Sequence, residues 1–356
     1  MKILLIENSF SGAHGSFQKF LSEIEHALEK LGHRVFRAGD VQDVAAVYKQ
    51  QEPNFSLGIG KYKSLINGKL ICDVYEIPHY QWIVDNPLKM PQYSSENFTP
   101  IFIDREFVEL YEPKPKHFLW FPLGIAGDEN NYNKSRERGI VFAGQVKNLN
   151  SLQAEIRRSN QHKLIEKFLS DLLQNLDDSF IVRYKSFLLN NEIVDLEEFF
   201  RLTNSYLRCF KRLNVLKKIR QWPLILAGNI AEESLLRKPN VIHLGDVPYS
   251  DLHKLFSKYT HVLHISPNFS ACVHDRILRG LVAGCQVIAE ENSVLRAIFG
   301  DELIYFRYKN FDEQSFEIGK GNRGLRTTAK ILERFEWKNI LTAVIDDYRK
   351  RVDNVE

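Results

Sequence analysis

The sequence predicts an α/β chain built on parallel sheets and divided into two domains. Three observations carry this. Residues 241–292, VIHLGDVPYSDLHKLFSKYTHVLHISPNFSACVHDRILRGLVAGCQVIAEEN, alternate short apolar runs with helical segments, which makes two successive crossover units of a parallel sheet. Residues 1–40 show the same logic once: a strand, a glycine-bearing loop, a helix and a returning strand. The length of 356 residues exceeds what one ordinary domain holds.

Taken in order, Ile3 to Ile6 form the first strand, and 8–15 form a loop with two glycines. Phe17 to Leu31 repeat apolar residues at helical spacing, and Gly32 sits where a C-cap belongs. Arg34 to Phe36 return to the sheet. Leu70–Val74, Tyr80–Val84, Thr99–Asp104 and His117–Phe121 are further strands. The polar, turn-rich stretch 127–138 is the linker, so the first domain covers 1–135. The second domain, 136–326, opens with the strand Gly139–Ala143, and its next clear strand is Pro223–Ala227. The residues between are too many for a normal crossover, and 151–220 read as a helical insertion. Its end concentrates Lys211, Arg212, Lys217, Lys218 and Arg220, either a solvated helix face or a patch for an anionic acceptor or an anionic membrane at 211–220. The tail, 327–356, follows one helix pattern.

Composition sets bounds. With 44% hydrophobic and 26% charged residues the chain is globular rather than disordered. A net charge of +3 creates no field that calls for nucleic acid. No segment approaches the roughly 18 apolar residues that span a membrane, and the first apolar run is too short for a signal peptide, so the expected location is cytoplasmic. Cys72, Cys209, Cys272 and Cys285 show no C-x-x-C spacing; reduced, mostly buried thiols and no zinc site are expected.

The order of elements resembles the GT-B glycosyltransferases, α/β proteins of two Rossmann-like domains facing across a cleft. "HLGDVPYSDLHKLFSKYTHVLHISPN" and "VHDRILRGLVAGCQVIAEEN" look like that superfamily's nucleotide-binding half. His274-Asp275-Arg276 with Ala283-Gly284, "QWIVDNP", and "FIDREFVELYEPKPKHFLWFPLGI" are similar to its CgeB-like, spore-maturation-type subgroup. "FEWKNIL" resembles the aromatic-Trp motif of a terminal helix that, in this fold, crosses back to the first domain. Two positions depart from the pattern. Arg279 stands where many retaining members carry a glutamate, and Asn268-Phe269-Ser270-Ala271 lacks the usual glycines. With Asp85 as a base, these departures tilt the expectation towards inversion.

The resemblance implies transfer of a sugar from a nucleotide-sugar donor to a glycan or lipid-linked hydroxyl acceptor, in surface polysaccharide or glycoconjugate assembly. The chain contains no D-x-D, so charge neutralisation without metal or cofactor is expected from Lys, Arg, His and helix N-termini. Ser270 is the expected N-cap of the helix carrying His274, Asp275 and Arg276; the plainer reading is a surface helix start with mixed charge. Gly144 and Lys147 follow the first strand of the second domain, as a phosphate contact or a tight turn with a solvated lysine. Asn268 lies in the loop over the phosphates, Asp246 and Val247 offer backbone to the base, and Glu290, Glu291 and Asn292 are candidates for sugar hydroxyls. Asp85 is the candidate general base, or else an Asx-turn carboxylate; His14 is the second candidate; Asp104 and Arg105 are candidate acceptor contacts. Two rivals stand beside transfer: a sugar-nucleotide epimerase of the same fold, which would need no acceptor, and a degenerate scaffold, which no nucleotide would stabilise.

Overall fold

A computed structural model describes residues 1–7, 15–60, 65–66, 68–89, 92–126, 135–266, 268–316 and 324–353. The chain divides into two compact units, Met1–Asp128 with Ala329–Glu356, and Glu129–Thr328. His14, Pro267 and most of the expected linker lie outside the described residues.

The first unit contains β1 (Lys2–Ile6), α1 (Ser16–Lys30), β2 (Arg34–Ala38), α2 (Val41–Gln51), β3 (Phe55–Ile59), β4 (Leu65–Ile66), β5 (Lys69–Leu70), α3 (Ile71–Val74), β6 (His79–Ile83), β7 (Phe98–Phe102) and β8 (Leu119–Trp120). The sheet runs β2-β1-β3-β6-β7-β8 and every pair in it is parallel. Strand order therefore reverses between β1 and β3, the place where open parallel sheets receive ligands. Two expectations change. Of Leu70–Val74, read as a strand, only Leu70 lies in one and Ile71–Val74 form a short helix after the β4–β5 hairpin, and β3 is a fully buried central strand that its Ser and Gly disguised in the sequence.

A hydrogen-bonded chain runs through this core. Gln81 Nε2 donates to the Gly60 carbonyl at 2.8 Å, and His79 Nε2 lies 2.8 Å from Gln81 Oε1. On the other side of the ring, Ser56 Oγ is 2.8 Å from Nδ1 and 2.6 Å from the Tyr48 hydroxyl. One proton arrangement satisfies all four groups: Tyr48 donates to Ser56, Ser56 to a neutral His79, and His79 to Gln81. Burial lowers the His79 pKa from 6.5 to about 4. Between these values the unfolded chain binds a proton that the folded chain refuses, so stability falls as pH drops from 6.5 towards 4 and is level above 7. Urea unfolding should show wild type losing about 2 kcal/mol more than His79→Gln between pH 7 and pH 5. Equal losses in both proteins would remove His79 as the cause.

The second unit contains β9 (Glu137–Ala143), the helices α4 (Leu149–Arg158), α5 (His162–Gln174), α6 (Phe180–Asn190) and α7 (Leu196–Leu216), then β10 (Leu224–Ala227), α8 (Glu233–Leu236), β11 (Val241–Gly245), α9 (Leu252–Lys258), β12 (Tyr259–His264), α10 (Asp275–Val282), β13 (Gln286–Glu290), α11 (Ser293–Phe299) and β14 (Ile304–Phe306). Its parallel sheet runs β11-β10-β9-β12-β13-β14, the Rossmann order, with the reversal between β9 and β12. The helices between β9 and β10 carry their own aromatic core, in which Phe168 contacts Phe180, Tyr184, Phe187 and Phe199. Two more helices, α12 (Gly324–Phe335) and α13 (Trp337–Asp353), end the described chain, and residues from Ala329 onward belong to the first unit. There Ile125 N–H donates to Phe335 O at 3.0 Å and Trp337 N–H to Ile125 O at 3.1 Å.

No helix among the described residues is long and apolar enough to cross a membrane. All four cysteines are buried, and none forms a disulfide.

Candidate functional site

In the second unit the strands end in one place, and the chemistry-bearing side chains gather there. Gly144 follows β9 and Gly228 follows β10. Gly144 N–H donates to Ala227 O at 2.8 Å, joining β9 to β10, and Gly228 N–H donates to Gly245 O at 2.7 Å, joining β10 to β11. Gly228 adopts φ +124, and a Cβ on it would lie 2.5 Å from the Gly144 carbonyl oxygen, so the two strand ends meet only because residue 228 has no side chain.

The helix carrying the basic triplet begins at Asp275, not near Ser270. Residues 268–273 stay irregular. Asn268 holds φ +67, and its buried amide donates to Asn204 O and Oδ1 on α7 at 3.1 and 2.9 Å. Ser266 Oγ accepts from Phe269 N–H at 2.8 Å, while Ser270 Oγ donates to Ser179 Oγ at 3.0 Å. The N-cap is His274.

His274 Nδ1 lies 2.6 Å from Asp275 Oδ1 and Nε2 lies 3.3 Å from Arg276 Nη2. Burial lowers the His274 pKa, so the ring is neutral, with Nδ1–H donating to the carboxylate and Nε2 accepting from the guanidinium. Asp275 also accepts from the Tyr249 hydroxyl. Burial would raise its pKa, but His274, Arg276 and Tyr249 outweigh that and hold the carboxyl well below its ordinary range. Arg279 is buried, donates from Nε to the Tyr249 hydroxyl at 2.9 Å and lies over that ring. Arg276 Nη1 donates to Ala143 O at 2.8 Å, which brings the triplet to the carboxyl end of β9.

The insertion reaches the same place. Arg212 on α7 is 1% exposed and Nη1 donates to Gln145 O. Lys211 is 3% exposed, 3.1 Å from Glu290 Oε1, and Tyr308 donates to Glu290 Oε2 at 2.7 Å. Cys209 Sγ donates to Lys147 O at 2.9 Å, and Asp177 accepts from Tyr308 N–H at 2.8 Å. The run at 211–220, read as a solvated helix face or an anionic-surface patch, is partly inward. Two of its five cations point into the protein, Lys217 pairs with Glu232 at 3.3 Å, and Lys218 reaches Tyr308 O at 3.5 Å. The carboxyl ends of β9 and β13 and the loops after β12 and β14 are thus all tied to the insertion.

The remaining expected residues are placed as follows. Lys147 and Asp246 are exposed and Val247 is half-buried. Glu291 pairs with Arg296 at 2.8 Å and Arg307 at 2.5 Å, and Asn292 caps α11 by accepting from Leu295 N–H at 2.8 Å. In the first unit, Asp85 is exposed after β6. Asp104 is fully buried and accepts from Glu106 N–H at 2.9 Å. Arg105 is exposed and lies 4.2 Å over the Trp120 ring.

Sequence reasoning missed Arg212, Tyr249 and His264. His264 ends β12, its ring stands 4.7 Å from His274, and its Nδ1 is buried with no partner among the described residues. One signal was available. Asn204 and Lys211 fall in helical phase with the apolar Phe200, Leu207 and Val215 of α7, so a polar group was to be expected inside.

No family model matches the chain, and no curated protein matches it. Solved structures do. AviGT4, a glycosyltransferase of avilamycin A biosynthesis, aligns with a TM-score of 0.59 at 13% identity over 99% of this chain and 98% of that one. The sucrose-phosphate synthase of Thermosynechococcus elongatus aligns with a TM-score of 0.58 at 10% identity over 99% and 100%. Anabaena HepE, solved with UDP and glucose, aligns with a TM-score of 0.56 at 12% identity over 98% and 100%. The chain has the GT-B fold, with two Rossmann-like domains and a helical insertion in the second.

Proposed function

We propose that the chain is a glycosyltransferase that takes its sugar from a nucleotide-sugar and works without a metal. The observation that carries this is the convergence of Gly144, His274, Asp275 and Arg276 at the β9–β12 reversal, a buried polar cluster at the point where this fold receives ligands. The fold shared with HepE, solved with UDP and glucose, supports a nucleotide-sugar donor. Asp275 fixes the His274 tautomer, and Arg276 neutralises charge that builds on the leaving phosphate. With no D-x-D in the sequence, arginine takes the role that a divalent ion has elsewhere.

The first unit takes the acceptor, a glycan or lipid-linked hydroxyl. Asp85 is the base, with His14 the alternative, and Arg105 is an acceptor contact. Glu290, held by Lys211 and Tyr308, is the carboxylate offered to sugar hydroxyls. The resemblance to CgeB-like proteins supports a place in surface polysaccharide or glycoconjugate synthesis, and four buried cysteines outside any disulfide fit the reducing cytoplasm.

The test is a thermal-shift screen with UDP, GDP, CMP, dTDP and ADP in EDTA. A site filled at 100 times its dissociation constant adds about 2.7 kcal/mol, and one nucleotide should produce that rise in wild type and not in Asp275→Asn or Asp275→Ala. If no nucleotide stabilises wild type, the transferase reading fails and the scaffold reading takes its place. Release of free sugar-nucleotide epimer without acceptor would instead favour the epimerase.

A further inference from the structure

The sheet of the second unit ends on one side in β11, and among the described residues β10 is its one partner strand. The other edges of the two six-stranded sheets are poor templates for a further strand. β2 carries exposed Arg34 and Arg37, β8 is two residues long, and β14 is three residues long and followed by exposed Arg307. β11 is five residues long, VIHLG, with no arginine, lysine or carboxylate in it, and Ile242 and Leu244 stand 49% and 43% exposed. Its register against β10 shifts after His243, so Val241–His243 is the regular part of this edge.

The ladder to β10 decides which backbone groups face outward. Leu224 pairs with Val241, and Leu224 N–H donates to Asn240 O at 2.8 Å. Alternate residues of a parallel strand turn both backbone groups to the same neighbour, so Ile242 faces β10, while Val241 O and the N–H and C=O of His243 face away. Val241 N–H is already used, donating to Lys238 O at 3.2 Å. The edge therefore offers one donor, on His243, and an acceptor two residues before it. An antiparallel copy of the same strand answers both. About a two-fold axis at Ile242, each His243 N–H meets the Val241 carbonyl of the other copy. The same axis brings the two exposed Ile242 side chains face to face at a non-hydrogen-bonded position, where side chains lie closest. It also sets the basic residues Arg237 and Lys238, before the strand, beside exposed Asp246, after it, at both ends. We propose that β11 is the interface of a homodimer, with the second-unit sheets of two copies joined edge to edge and β11 antiparallel to β11. The occupant is a second copy because backbone groups, apolar side chain and end charges all match under one axis. A strand pair alone buries less than the roughly 1,200 Å² of a standard interface, so the dimer dissociates in the micromolar range. Nothing in this depends on the transferase reading.

The experiment is sedimentation velocity of the full chain from about 1 to about 100 µM, beside cysteine cross-linking. Wild type should pass from 41.5 kDa towards twice that mass as concentration rises. Ile242→Lys puts like charges opposite each other across the axis and should weaken the dimer at least about tenfold. Leu189→Lys is the control, because Leu189 is 80% exposed on α6, away from any sheet edge, and should leave the dimer unchanged. Under mild oxidation Ile242→Cys should give a disulfide-linked dimer, since facing Cα atoms about 4.5 Å apart suit the bond, and Leu244→Cys should not, since the axis carries it away from its own copy. If Ile242→Lys does not fold, the two cysteine variants decide. A monomer at every concentration with no cross-link overturns the proposal and leaves the edge to a different protein. A dimer that survives Ile242→Lys but not Leu189→Lys moves the interface to the insertion and overturns it too. Equal cross-linking of Ile242→Cys and Leu244→Cys overturns the antiparallel register.

Discussion

Replacing Trp337 by alanine is expected to cost the first unit about 3–5 kcal/mol, the range for deleting a buried tryptophan. The ring is 1% exposed, meets Trp82 edge-on at 5.6 Å and Phe20 at 6.3 Å, and donates from Nε1 to Glu23 Oε2 at 2.8 Å. Alanine removes the packing and leaves the buried Glu23 carboxylate with Lys19 alone of these partners, at 3.5 Å. Trp337→Phe keeps most of the volume and loses the hydrogen bond, for a smaller cost of about 1–3 kcal/mol. Urea unfolding of the three proteins checks the order. A loss below 1 kcal/mol for alanine would mean that the terminal helix adds little to the first unit.

The second large effect is at Gly228. Alanine there must accept φ +124 and place its Cβ 2.5 Å from the Gly144 oxygen, with no flexible side chain to give way. Strain and overpacking together predict a loss of about 2–6 kcal/mol in the second unit, with loss of nucleotide binding as the β9 end shifts. Gly300→Ala is the control. Its φ is +52 and nothing lies within 4 Å of its Cβ, so it carries the conformational cost without the collision. Equal losses in the two variants would show that backbone conformation alone matters and that the β9–β10 approach can yield.

β9, β10, β12 and β13 were legible because a strand buried on both faces reads as a short apolar run, and the exposed edge strand β11 was marked by Gly245 at its end. β3 was not, since FSLGI mixes Ser and Gly into a stretch whose burial is decided by β1 and β6 on either side. β14, three residues long, gave no period to read. Ser270 looked like a cap because serine usually is one; here the hydroxyl is taken by Ser179, and the N-cap position falls to His274. The triplet 274–276 was found because its members are adjacent in sequence. Arg212 was seen only as part of a basic run, since its meaning lies in Gln145, 67 residues away.

The helices between β9 and β10 also govern timing. β9, seven residues long, is central, and both its neighbours, β10 and β12, are synthesised after those helices. At about 5–20 residues per second, the ribosome needs roughly 4–16 s to pass from residue 144 to residue 224, and for that interval β9 has neither edge paired. Local helices form in microseconds. The aromatic bundle can therefore assemble first and bring Arg212 to Gln145 while the strand waits.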